Sequence, residues 1–270
     1  MKPAAGVTAT RPTTIPVAAL VIGKRTDYGS SSILPHNVPF VLLGAGLLWF
    51  GWFGFNAGSA LAASPQAGLA FVTTMLAPAA TLVVWTILDA VRTGKPSSVG
   101  CATAIVVGLV AVTPAAGYIS PMSALALGAI AAVPSYFGIL LRSKTSLDDS
   151  LDVVAAHGLG GTVGALLTGV FAEKALNGAF DGALFGNPRQ VLVQGAAVLG
   201  AMLYSAAGTF VVLKLIGLVI PLRATVSEEA EGLDITAHGE DAYAAVGGSS
   251  PAEEVVAGAR PVLKPARADV

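Results

Sequence analysis

Long uncharged stretches alternate with short charged ones along most of this 270-residue chain. Residues 28–88 contain no Asp, Glu, Lys or Arg, and neither do residues 96–141. A helix that crosses a membrane needs about 20 apolar residues, so each block is long enough for two helices and a turn. Two shorter blocks, at 153–172 and 190–213, hold one helix each. The pattern predicts six membrane-spanning segments, near residues 38–62, 68–91, 99–118, 122–141, 151–172 and 191–220.

The composition agrees with a membrane protein. Hydrophobic residues make up 54% of the chain and charged residues 11%, whereas a soluble domain carries about 25% charged residues. Open strands in lipid leave backbone groups unpaired, so we predict an all-α, polytopic transmembrane helix bundle. Pro78, Pro114 and Pro134 fall inside the predicted spans, where they indicate kinks rather than ends. The glycine pairs 54/58 and 160/164 predict close helix packing.

Basic residues in the connecting loops predict the orientation. Only Lys174 and Arg189 lie on one side of the predicted bundle. The basic residues on the other side are Lys24, Arg25, Arg92, Lys95, Arg142, Lys144 and Arg223. By the positive-inside rule these seven mark the cytoplasm, and an even number of spans then places the C-terminus in the cytoplasm of a plasma-membrane protein.

The two ends of the chain differ from the middle. Residues 16–23 are apolar, but eight residues make a helix of only about 12 Å, too short to cross a bilayer. Residues 1–15 lack the continuous apolar core of a signal peptide. Residues 221–270 are rich in Ala, Gly, Glu and Pro, which predicts a mobile tail.

His157 is a titratable side chain inside the uncharged block 153–172. Such a group is costly in hydrocarbon, so it normally faces a packed interior or a wet pathway, and imidazole changes charge near neutral pH. The same span begins with Asp148, Asp149 and Asp152, where the helix dipole favours anions, and Thr145 or Ser146 can cap it.

The first span carries an aromatic face. Trp52, Phe55 and Ser59 are spaced i, i+3 and i+7, so an indole, a phenyl ring and a hydroxyl share one side of a helix. Aromatic faces attract a small cation by about 0.5–2 kcal/mol, and a hydroxyl accepts its N–H. An aromatic belt at the membrane interface explains the same residues, and the spacing alone leaves both interpretations open.

Three long segments and one short one resemble the ammonium transporter (Amt/Mep/Rh) family. They are HNVPFVLLGAGLLWFGWFGFNAGSA (36–60), GKPSSVGCATAIVVGLVAVTPAAGYISP (94–121), DDSLDVVAAHGLGGTVGALLTGVFA (148–172) and GLDITAHGEDAY (232–243). The resemblance covers about residues 16–243, in order.

The resemblance implies a role for each candidate residue. Trp52 resembles an aromatic beside the pore, Phe55 one of two stacked phenyl gates, and Ser59 an acceptor in the outer ammonium site. His157 resembles the second of two paired pore histidines. Asp149 and Asp152 match acidic positions that support the pore.

The resemblance also implies an assembly. Family members are homotrimers whose subunits have eleven spans and one pore each, and their cytoplasmic tails couple the subunits. In many relatives the tail meets a PII-type signalling protein.

The N-terminal part departs from the family pattern. Members begin with four spans and a fifth that ends in a GKR-like segment, whereas here the resemblance starts at about Pro16, before the residues Gly23, Lys24 and Arg25. The first pore histidine would align near Thr8. We therefore expect an unmatched segment at 1–15, the remnant of a span at 16–25, a six-helix domain at 38–220 and a cytoplasmic tail at 221–270.

Three hypotheses follow. The chain is part of a complete transporter, or a short subunit that needs a partner, or a non-transporting interaction protein that acts through its tail. An enzyme is disfavoured, and no cofactor or metal is expected, because His36, His157 and His238 have no metal-ligand spacing.

Overall fold

The computed structural model describes residues 5–26, 28, 29 and 34–241, and side chains within these ranges from residue 14 onward. The helices are α1 (Ala5–Ile22), α2 (Val38–Gly58), α3 (Pro65–Thr93), α4 (Ser98–Val112), α5 (Pro121–Arg142), α6 (Gly160–Phe171), α7 (Lys174–Asn177), α8 (Arg189–Ile216) and α9 (Val226–Glu231). A π-helical segment, Val154–Leu159, leads directly into α6, and a second one covers Asp234–His238. The described residues contain no strand, so the predicted all-α class is confirmed.

Five of the six predicted spans are helices that are long and apolar enough to cross a membrane, counted over the described residues. They are α2, α3, α5, α8 and the continuous helix Val154–Phe171. The remaining span, predicted at 99–118, is shorter, because α4 ends at Val112 and turns follow it. Pro114 therefore ends a helix instead of kinking one, since its ring removes an N–H and crowds the preceding turn. Pro78 and Pro134 lie inside α3 and α5 as predicted.

Polar residues fix where α2, α3, α4 and α5 begin. Each lies just before the first helical residue, and its side-chain oxygen accepts a backbone N–H that the helix itself leaves unpaired. The capping pairs are Asn37 with Phe40, Ser64 with Ala67, Ser97 with Gly100 and Ser120 with Ser123.

The core is formed by α3, α4, α5 and α6, which approach one another closely at glycines. A Cβ added to Gly164 on α6 would collide with the carbonyl of Ala111 on α4, so the predicted packing role of this glycine is confirmed. A Cβ added to Gly54 or Gly58 would meet nothing within 4 Å. The prediction of close helix packing at this pair is therefore wrong for contacts within the described chain. Both lie on α2, which packs against α3 and α4 and buries only Ala45 and Asn56.

Helix α1 packs along α8 and against the π-helical segment Val154–Leu159. It extends well before the remnant predicted at 16–25. Thr14 on α1 and Ser205 on α8 share a hydrogen bond of 2.7 Å between their hydroxyl oxygens.

Residues from Arg223 onward form a separate unit, whose described part ends at residue 241. The tail is helical over Val226–Glu231, where Thr225 and Glu228 form a reciprocal capping box. Arg223 pairs with Glu229 at 2.7 Å. The segment 232–243, which resembles the family, is π-helical over Asp234–His238, and residues 242 and 243 lie outside the described residues. The mobility of the tail stays a prediction.

Candidate functional site

His157 lies in the middle of the π-helical segment Val154–Leu159. The segment packs against α1, α4, α5 and α6. Its neighbours Ala155, Ala156 and Gly158 are buried, and His157 itself is half-buried. A π-turn inside a longer helix is rare and is frequent at functional sites. The structure therefore places the predicted histidine among packed helices, at a local irregularity of the span.

Asp149 holds the start of this segment. Its carboxylate is fully buried and accepts the backbone N–H groups of Val153 at 3.0 Å and Val154 at 2.8 Å. Charge-assisted bonds of this kind satisfy donors at the positive end of the helix dipole. The cap predicted at Thr145 or Ser146 is wrong, because the helix begins only after Asp152.

Asp148 and Asp152 each pair with an arginine. Asp148 accepts the backbone N–H of Arg25 at 2.9 Å and its guanidinium at 2.8 Å, which ties the chain after α1 to the loop before the π-helical segment. Asp152 pairs with Arg142, the last residue of α5, at 2.6 Å. Both carboxylates precede the helix instead of lying in its first turns as predicted, Asp152 directly before the first helical residue, and each forms an ion pair.

The backbone of Asp152 is left-handed, with φ +52°. This conformation costs an L-residue about 1–2 kcal/mol, less for Asp and Asn. Burial raises the pKa of the Asp152 carboxyl, and the nearby Arg142 guanidinium opposes that shift. A strained residue, an ion pair and a buried cap thus lie within the five positions before the His157 segment.

The aromatic face of α2 has the geometry that its spacing predicts. The Trp52 and Phe55 rings meet edge to face with centroids 5.6 Å apart. Ser59 ends the helix, and its hydroxyl donates to the Phe55 carbonyl at 2.6 Å. Because that proton is engaged, the Ser59 oxygen presents its lone pairs to the surroundings.

Thr113 is a site residue that the sequence reasoning missed. The Trp52 indole N–H donates to the Thr113 hydroxyl oxygen at 2.9 Å, and Thr113 in turn donates to the Leu109 carbonyl at 2.7 Å. The bond fixes the plane of the indole. Thr113 gives no local signal in the sequence, because it lies 61 positions from Trp52.

Helix α4 links the aromatic face to the histidine segment. Its end carries Thr113, and one face of it meets Gly160, where an added Cβ would lie 3.6 Å from the Val107 carbonyl oxygen. Six residues separate Val107 from Thr113, which is about 9 Å along a helix. The aromatic face of α2 and the His157 segment therefore contact α4 at two different heights along its axis.

A model of the Ammonium Transporter Family matches residues 17–243 of this chain. An ammonium transporter of Aquifex aeolicus is 48% identical over 228 residues, which are 84% of this chain and 53% of that protein. One of Bacillus subtilis is 42% identical over 229 residues, covering 84% of this chain and 56% of that protein. The chain thus spans about half the length of the curated relatives it matches.

The solved structures agree. Mep2 of Saccharomyces cerevisiae superposes with a TM-score of 0.72 at 33% identity, over 78% of this chain and 51% of that one. Mep2 of Candida albicans gives 0.77 at 29% identity, over 88% of this chain and 56% of that one. This multi-pass membrane protein belongs to the Ammonium Transporter Family.

Proposed function

We propose that this protein takes part in ammonium transport across the cell membrane. An ammonium ion is recruited at Trp52, Phe55 and Ser59, loses a proton, and crosses as ammonia past His157. Its family membership and the names of its relatives support the substrate. The tethered indole and the lone pairs of Ser59 support the outer step.

The proposed sequence of steps follows from the cost of burying charge. A bare cation in a low-dielectric pathway is very unfavourable, so a group that can lose its charge crosses more easily without it. Ammonium can release a proton, whereas potassium has none to release. Selectivity then depends on acidity instead of size. The imidazole of His157 offers one N–H donor and one acceptor in its neutral form and can carry a proton.

One observation carries the proposal: the half-buried His157 lies on a π-helical segment whose first N–H groups are held by the buried carboxylate of Asp149. A backbone fixed in this way restricts the directions in which the imidazole can point. In this proposal Asp149 and Asp152 support the pathway, and the side with Lys24, Arg25, Arg92 and Lys95 faces the cytoplasm.

A second candidate function is interaction through the tail, without transport by this chain alone. The capping box at Thr225 and the pair between Arg223 and Glu229 support it, because they give the tail local order of its own. We propose a PII-type signalling protein as the partner, and a homotrimer as the assembly in either case.

The test uses the full chain, purified and reconstituted into liposomes. An inward ammonium gradient should produce a current or a change of internal pH that potassium does not produce. His157→Ala should reduce it to the level of empty liposomes, and His36→Ala, outside the predicted spans, should leave it unchanged. A wild-type chain without ammonium flux would reject transport by this chain alone. Binding of a PII-type protein to that same chain would then favour the second function.

A further inference from the structure

Asp89 is a buried carboxylate that the proposed pathway does not use. It lies in the last turns of α3 and is only 8% exposed. An ionised carboxylate in such a place is costly unless hydrogen bonds compensate it. Water does not compensate this burial, so the partners of the Asp89 carboxylate inside the protein have to be identified.

Asp89 joins three elements. One oxygen accepts the hydroxyl of Tyr136 on α5 at 3.0 Å, and the other accepts the backbone N–H of Ser97, the capping residue of α4, at 3.1 Å. The neighbouring Trp85 ring meets Tyr136 edge to face with centroids 5.0 Å apart. Gly100 leaves room for this group, because a Cβ added there would lie 2.8 Å from the Asp89 oxygen.

Tyr136 continues this connection to the histidine segment. It belongs to one buried cluster with Trp85 and Ala156, the residue directly before His157. Two positions further along α5, Gly138 lets the helices approach, since a Cβ added there would lie 3.3 Å from the Ala155 Cβ. Tyr136 and Gly138 point to different sides of α5, so the segment meets this helix at two places, and the place held by Asp89 is the cluster of Tyr136 with Ala156.

We propose that Asp89 is a positioning residue for His157, acting through Tyr136. The carboxylate fixes the tyrosine, the tyrosine packs in one cluster with Ala156, and the position of Ala156 sets the orientation of the next residue, His157. Asp149 holds the same segment from its start. The functional meaning of this positioning rests on the proposed role of His157 in transport. The contacts that position His157 do not depend on whether ammonium is transported.

The experiment measures the histidine directly, in the full chain in lipid nanodiscs with ¹⁵N-labelled histidine. His36→Gln and His238→Gln assign the signals by difference. Tyr136→Phe keeps the ring and removes only the bond to Asp89. We expect it to shift the side-chain nitrogen resonances of His157 and to speed amide exchange in Val154–Leu159 by about tenfold. The first turn of α4 should keep its protection, because Ser97 retains its bond.

Thr81→Val is the matched control. Thr81 is buried on α3 and donates to the Gly128 carbonyl on α5 at 2.9 Å, so it also joins these two helices. Gly128 lies eight residues from Tyr136, about 12 Å along α5. The control should leave the His157 signals unchanged.

Asp89→Ala should reproduce the effect of Tyr136→Phe and also expose the first turn of α4. Adding Tyr136→Phe to Asp89→Ala should change the His157 signals no further, as expected for two members of one chain of contacts. If Asp89→Ala fails to fold, the comparison of Tyr136→Phe with Thr81→Val still decides whether Tyr136 positions His157.

Unchanged His157 signals in Tyr136→Phe overturn the proposal, and so do equal changes in Tyr136→Phe and Thr81→Val. Flux is a separate measurement. If His157→Ala transports normally while Tyr136→Phe still shifts the His157 signals, the proposed function fails and the positioning role stands.

Discussion

The indole N–H of Trp52 donates to the Thr113 hydroxyl at 2.9 Å and thereby fastens the sparsely buried helix α2 to the end of α4. The bond holds the indole beside Phe55, where the proposed outer site recruits a cation. The chemistry of that site thus depends on a residue of a different helix.

Thr113→Val should weaken ammonium recruitment. Valine has nearly the same volume as threonine but lacks the hydroxyl that accepts the indole N–H, so the Trp52 ring can turn. A hydrogen bond of about 1 kcal/mol corresponds to a rise of about fivefold in the ammonium concentration for half-maximal flux. Flux measured against ammonium concentration in liposomes checks this. Thr113→Ser keeps the hydroxyl and should match the wild type, and equal behaviour of Ser and Val would contradict the role.

Asp149→Ala should destabilise the protein by about 2 kcal/mol or more, because it leaves two N–H groups without the acceptor that caps them. Unfolding in dodecyl sulfate, followed by circular dichroism, measures the change. Asp148→Ala is the control, since its arginine partner is a third exposed and retains access to water. We expect a smaller loss there, and a larger loss in Asp148→Ala would show that the Asp149 cap is not the main support.

Asp152→Ala should be less stable than Asp152→Asn by about 1 kcal/mol. Both variants lose the ion pair with Arg142, but Asn tolerates the left-handed backbone and Ala does not. The same unfolding assay gives the difference. Equal stability of the two variants would mean that the backbone of residue 152 relaxes without cost.

Gly164→Ala should cost about 1–3 kcal/mol, because the new methyl group has to displace the Ala111 carbonyl or separate α4 from α6. Gly54→Ala is the matched control in another helix, where the new methyl group meets nothing. Alanine is the better helix former by about 1 kcal/mol, so the control should be neutral or stabilising. A similar loss in both variants would contradict the packing argument.

Much of the bundle could be predicted from the alternation of uncharged and charged blocks, because lipid forces apolar segments to be helices. The spacing of Trp52, Phe55 and Ser59 also predicted their common face. The start of the His157 helix could not be predicted locally. Thr145 and Ser146 are good caps by residue type, but the pair between Arg25 and Asp148 draws this segment into the loop, and Asp149 caps the helix instead.

The end of α4 shows a second limit. Apolar residues continue to 119, and hydropathy alone therefore extends the span. The turns after Val112 are buried instead, where Tyr118 stacks on Phe180 with centroids 5.5 Å apart and its carbonyl accepts the N–H of Glu173. These partners come from a distant part of the chain, which no local pattern reveals.

The π-helical segment also has a consequence for helix register. A π-turn holds about one residue more than an α-turn, so every side chain after Val154–Leu159 is rotated by about 100° relative to a regular helix with the same start. The rotation lets one helix begin at the Asp149 cap and still bring Gly164 against Ala111. Deleting a single residue within the segment would restore the regular winding and force the helix to give up one of these two contacts.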